Sequence, residues 1–254
     1  MLKKFLLLSA LALCCVTSAF ADTVTVTSAG ATPAYDTWYA TNIRSGGTAA
    51  ITSTHPDNGR GSIQFTAPNN SSAKADFEYY YSSGSFLLSD LSAFSYDVLR
   101  SSTSSASAKY EPALRLYVSD GTHKGYLVYE GVYNNQAAPL DTFQTVNVLP
   151  AYLWATGNLD GAFSNYSRTA SDWAALYPTM KVYGISTGIG SGWDGSFDGA
   201  VDNITIGSRT GGSTTYNFDL AGNAAAATPE PSSLLLLGTG VLGMVGAARR
   251  KLFS

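Results

Sequence analysis

The 254-residue chain carries 15 Lys and Arg against 18 Asp and Glu, is 12% aromatic and holds two cysteines, Cys14 and Cys15. Five of the basic residues lie at the two ends, so residues 22–228 contain ten basic and 17 acidic residues, a net of −7, with no basic stripe; nucleic-acid binding is excluded as an expectation. Without cysteine in that span, a disulfide framework, a thiolate zinc site and a cysteine nucleophile are excluded as well.

The first 21 residues read as a signal peptide. Lys3 and Lys4 precede an apolar run over residues 5–16, too short for a permanent span, and Ala19 and Ala21 supply the small residues signal peptidase accepts before Asp22. Lipid attachment at Cys14 or Cys15 is the alternative, against the bulk of Leu13 and the poor match of Cys14 as preceding residues.

Residues 22–220 then read as one all-β domain. Segments 23–27, 63–67, 76–81, 94–98, 114–118, 126–129, 143–148, 182–187, 200–206 and 215–218 are short and rich in β-branched or aromatic residues, and turn-forming residues bound them. Ten such segments without long helical patterns predict an antiparallel β-sandwich, jelly-roll-like in connection. One helical turn or two is predicted over residues 171–177, with Ser171 as N-cap and Pro178 as stop. Residues 101–109 and 221–228 read as a loop and a small-residue linker.

Two clusters in this domain are candidate binding sites. Asp194, Asp198 and Asp202 concentrate carboxylates in a Gly-flexed stretch, the kind of hard-oxygen set calcium takes; the alternative is Asp–Gly turns and side-chain capping of loop backbone. Trp38, Tyr39, Tyr79, Tyr80, Tyr81, Trp154, Trp173 and Trp193 are weighed for stacking on sugar rings, with a core role the alternative for each Trp; Tyr79, Tyr81 and Trp193 are singled out, with Tyr80 on the opposite face of its strand. Catalytic patterns are thin. Residues 22–228 contain only Glu78, Glu111 and Glu130 as glutamates, and His55 and His123 stand apart, with no nucleophile elbow or zinc-protease signature. The expectation is a non-enzymatic protein.

Phe65-Thr66-Ala67-Pro68, residues 90–97 and Val201-Asp202-Asn203-Ile204 together resemble the laminin B jelly roll, and carbohydrate-binding jelly rolls often end in the same apolar-Asp-Asn-apolar pattern. That resemblance implies a sandwich over roughly residues 38–207.

The C-terminal end has three parts in order: Pro229-Glu230-Pro231, an apolar or small stretch over residues 234–248, and Arg249-Arg250-Lys251. Physically this is a stiff punctuation, a marginal membrane helix and a positive cluster that stays on the cytoplasmic side. Residues 229–254 resemble the PEP-CTERM sorting signal of Gram-negative bacteria. The resemblance implies recognition by an exosortase, a membrane protease cutting near Pro229, Glu230 and Pro231, and association with exopolysaccharide. The protein is thus expected to be exported, held briefly at the inner membrane and released to the envelope or matrix. A carbohydrate-binding module is the second reading, and a glycoside-active enzyme, which would need paired carboxylates in a groove, the third.

Overall fold

A computed structural model describes residues 21–83 and 86–222; Ala19, the sorting motif Pro229, Glu230 and Pro231, and the cluster Arg249, Arg250 and Lys251 lie outside the described residues. Within them the chain forms strands β1 (Ala21–Val26), β2 (Tyr39–Arg44), β3 (Thr48–Thr52), β4 (Ser62–Ala67), β5 (Lys74–Tyr80), β6 (Phe86–Leu87), β7 (Leu91–Arg100), β8 (Ala113–Ser119), β9 (Lys124–Tyr129), β10 (Gln144–Asn147), β11 (Trp154–Ala155), β12 (Lys181–Gly190), β13 (Phe197–Ser208) and β14 (Gly212–Phe218), with one helix, α1 (Ala170–Leu176). All ten sequence-predicted strands are present.

The strands form two seven-stranded sheets. In one, β7 runs along one edge of β13, and the other edge is shared: β4 pairs with Phe197 to Val201, and β14 with Ile204 to Ser208. The other sheet runs β11-β9-β8-β12-β5-β2, with β6 beside the start of β12. Alternating side chains from the two inner faces fill the space between them, among them Phe77, Leu114, Leu116, Leu127 and Ile185 against Ile63, Phe65, Phe94, Val98, Val201 and Phe218. Burying each such side chain contributes about 1.5–3 kcal/mol, which with no disulfide in the domain is its main source of stability.

Two features depart from the sequence reading. The sandwich is not wholly antiparallel, because β1 lies parallel to β14 at its edge. Helix α1 starts one residue earlier than predicted, and its N-cap is Thr169, not Ser171. The Thr169 hydroxyl accepts from the Asp172 amide while the Asp172 carboxylate accepts from the Thr169 amide, a reciprocal pair that Ser171 is not positioned to make.

At the fork where β4 gives way to β14 on the edge of β13, the ladder would leave backbone donors unpaired. Asp202, fully buried, fills the gap: its carboxylate accepts from the amides of Asn203 and Phe218, both at 2.8 Å, and from Asn58 at 3.4 Å. Asn203 follows in the left-handed region (φ 47°), where asparagine is tolerated, and its amide group donates to Asp57 and Asp97. The Asp-Asn pair on the last long strand is therefore a splice holding three strands together.

Candidate functional site

The outer face of the β11–β2 sheet carries polar and aromatic side chains in register. Along β5, Ala75 and Phe77 point into the core, so Lys74, Asp76, Glu78 and Tyr80 stand on the other side. Strand pairing aligns Tyr39, Glu78, Ser186, Arg115, Val128 and Trp154 in one row across six strands. A second row runs Tyr80, Gly184, Tyr117, Tyr126. Over residues 184–190 the strand β12 presents Gly184, Ser186, Gly188 and Gly190 to this face, so the middle is low and the flanks are tall. A Cβ at Gly188 would fall 2.3 Å from an Asp76 carboxylate oxygen, so glycine there is what lets Asp76 lie across the sheet.

The result is a trough of about 520 Å³ lined by Lys74, Asp76, Glu78, Arg115, Tyr126 and Glu130 and, at its mouth, by Trp154, Phe163, Tyr133 and Trp193. Its charges are mutually engaged. Arg115 donates to Asp76 at 2.7 Å and to Ser186 at 3.2 Å, while Lys74 sits 3.2 Å from the other Asp76 oxygen and Asn42 donates to it at 2.8 Å. Glu78 accepts from Tyr126 at 3.0 Å and from Tyr80 at 3.3 Å, and the two tyrosine hydroxyls touch each other. Trp154 donates its indole N–H to Glu130 at 3.0 Å. Burial pushes both Glu78 and Glu130 above the ordinary glutamate value, with the tyrosine bond and Arg115 respectively working against the rise.

Aromatic rings stand on both sides of this polar floor. Trp193 stacks on Tyr110 with planes 3° apart and centroids at 4.9 Å. Trp154 lies 6.1 Å from both Phe163 and Tyr166, and Tyr166 packs on Tyr133 at 4.3 Å. Beyond the Tyr80–Tyr126 contact a second hollow of about 520 Å³ is lined by Pro33, Tyr35, Tyr39, Tyr80 and Tyr117. The outer face is thus a continuous strip of rings and hydrogen-bonding groups.

Of the sequence-predicted stacking residues, Trp193 lies at the trough. Tyr79 and Tyr81 do not: they sit on the inner face, against each other, Trp38 and Tyr216, because the odd positions of β5 point to the core. Tyr80, the residue assigned to the opposite face, is the one at the strip. The three aspartates grouped as calcium ligands are not gathered either. Asp194 is exposed in the loop before β13, Asp198 accepts from Gln64 at 2.8 Å and pairs with His55 at 3.0 Å, and Asp202 is enclosed by backbone amides. Among the described residues no three His, Cys, Asp or Glu side chains are placed to hold a metal ion. Asp76, Glu78, Arg115, Tyr126, Glu130 and Phe163 are the site residues that reading the sequence missed, while Trp154 was weighed for stacking but not singled out.

Residues 227–251 match the family model described as the PEP-CTERM protein-sorting motif, a span that includes Pro229, Glu230, Pro231, Arg249, Arg250 and Lys251. No curated protein matches the chain. Among solved structures the chain is similar to the family 11 carbohydrate-binding module from Clostridium thermocellum in complex with a β-1,3-1,4-mixed-linked tetrasaccharide (TM-score 0.39, 12% identity, 65% of this chain and 86% of that one). It is also similar to the family 11 module of a cellulosomal cellulase of the same organism (TM-score 0.39, 10% identity, 73% of this chain and 91% of that one). Among the described residues no helix is long and apolar enough to cross a membrane.

Proposed function

We propose that this is an exported, non-enzymatic glycan-binding protein of the cell envelope or extracellular matrix, sorted through its C-terminal tail and associated with exopolysaccharide. The observation that carries the reading is the row Tyr39-Glu78-Ser186-Arg115-Val128-Trp154 with its flanking rings. Hydrogen-bonding groups lie on a low floor between aromatic faces, which matches a sugar's alternation of hydroxyl edge and C–H face. The matched sorting motif supports delivery by signal peptidase and an exosortase-type protease to the compartment where such chains are found.

The same groups argue for holding a sugar rather than cutting it. Glycoside cleavage requires one carboxylic acid and one free carboxylate about the scissile bond. Here Asp76 is committed to Arg115 and Lys74, and Glu78 to two tyrosine hydroxyls. The test is affinity electrophoresis of the protein through gels cast with neutral glucans and with the host's own exopolysaccharide. Retardation on at least one, lost in a Trp154→Ala, Trp193→Ala double variant that still melts cooperatively, is the expected result. Unretarded migration through all of them would defeat the reading.

A further inference from the structure

Seven non-glycine residues among those described adopt positive φ: five are Asp or Asn, side chains that tolerate the left-handed region (Asp36, Asn42, Asn135, Asp141 and Asn203), and one is the small Ser45. The seventh is Phe163, at φ 61°. A bulky ring in that region is strained, and strain persists where the surroundings over-determine it. They do so here. The Phe163 amide donates to Ala155 O at 2.8 Å, its carbonyl accepts from the Tyr166 hydroxyl at 3.2 Å, and the flanking turn closes with Ser164 and Asn165 amides on Gly161 O. Arg168 clamps the loop's start through Asp160, with bonds of 2.7 and 2.9 Å.

What the loop holds so firmly is a ring the core does not use. Phe163 is 62% exposed, its one ring neighbour is Trp154 at 6.1 Å, and it lines the trough. A phenylalanine in a strained backbone, set in a loop closed by six hydrogen bonds and left mostly in water, gains little for folding.

Resting on the glycan reading above, we infer that Phe163 and Trp154 form the stacking platform of the trough, holding an uncharged hexopyranose by an unbroken C–H ring face while Glu130 and Arg115 reach its hydroxyls. Phe163 is the specificity-determining ring: sugars with axial hydroxyls on that face lose contact with it.

The test measures dissociation constants for cellotetraose, laminaritetraose and mannotetraose by calorimetry, together with Tm, for the wild type, Phe163→Asn and Phe163→Tyr. Asparagine suits the left-handed backbone but removes the ring. Its expected signature is binding about tenfold weaker with Tm unchanged or raised, while Phe163→Tyr binds as the wild type does. Unchanged binding in Phe163→Asn overturns the inference, and so does weaker binding accompanied by a lowered Tm, which would make the ring structural. If the wild type binds none of the three sugars nor any other neutral glycan, the glycan reading itself falls and this inference with it.

Discussion

The buried splice at the strand fork gives single carboxylates a measurable signature. Burial raises Asp202 to about 7, with the nearby Asp57 charge adding to the rise, and Asp57 is raised to about 6 by burial and by Asp97. A carboxyl whose folded value lies above the unfolded 3.8 favours the fold most when protonated. Its contribution is complete below about pH 4 and is lost as pH rises through about 6 to 7. Asp120, lowered to about 2 by amide bonds from His123 and Thr122 and by the His123 ring, works in reverse, losing stability as pH falls toward 2. Stability should therefore peak in mildly acidic solution. In Asp57→Asn the alkaline decline should flatten, so that the Tm difference from wild type grows between about pH 4 and pH 7. A constant difference across that range would show that Asp57 is not the source. The Val201-Asp202-Asn203-Ile204 pattern was legible in the sequence, but its splice role was not, since that depends on which strands meet β13. Tyr79 and Tyr81 show the same limit: alternation put Tyr80 opposite them, but which face was wet depended on a partner sheet the segment does not encode.

Elements were more legible than sites, because a half-buried strand repeats its own pattern every second residue. The ten segments with clean alternation are all strands, and the ones missed each lack it. In β2 the left-handed Asn42 breaks the register on β5, β3 is Thr-Ala-Ala-Ile-Thr with little contrast, and β6 and β11 have two residues each. The helix was found but its cap misassigned by two residues, an error with an energetic consequence. Thr169→Ala should lower stability by about 1 kcal/mol, whereas Ser171→Ala should change it little; chemical denaturation of the two variants decides between the caps. The glycines of β12, residues that weaken an ordinary strand, keep the floor of the trough low. Gly188→Ala would push a methyl into Asp76 and, behind it, the Ala75 carbonyl at 2.5 Å. That variant should lose glycan retention and some Tm together, whereas Gly121→Ala, which lies away from the trough, meets nothing within 4 Å and has φ 92°, should lose stability alone. Equal effects on retention would remove the floor from the site.

For the molecule as a whole, address and cargo separate cleanly along the chain. The matched tail bears on delivery, so replacing Glu230 should leave uncut precursor in the membrane fraction by intact mass, with the body's melting unaltered. Under the proposed glycan-binding function, what the body accepts is a matter of charge. Three carboxylates line the trough against two cations, and both cations are committed to Asp76 at 2.7 and 3.2 Å. An acidic polysaccharide would have to draw Arg115 away and leave the buried Asp76 with only Lys74 and Asn42, and breaking a buried pair costs up to about 3–5 kcal/mol. A neutral chain asks for no such exchange. The protein should accordingly be retarded by neutral glucan and pass freely through polygalacturonate at low salt, where an attraction between charges would be strongest. Asp76→Asn keeps the shape but frees both cations, and it should gain retardation by polygalacturonate that fades as salt is added; Glu130→Gln, which changes the net charge equally without releasing Arg115, should not. Wild-type retention on the polyuronate would show instead that the Arg115–Asp76 pair opens to ligands, and that the trough's selectivity does not lie in its internal ion pairs.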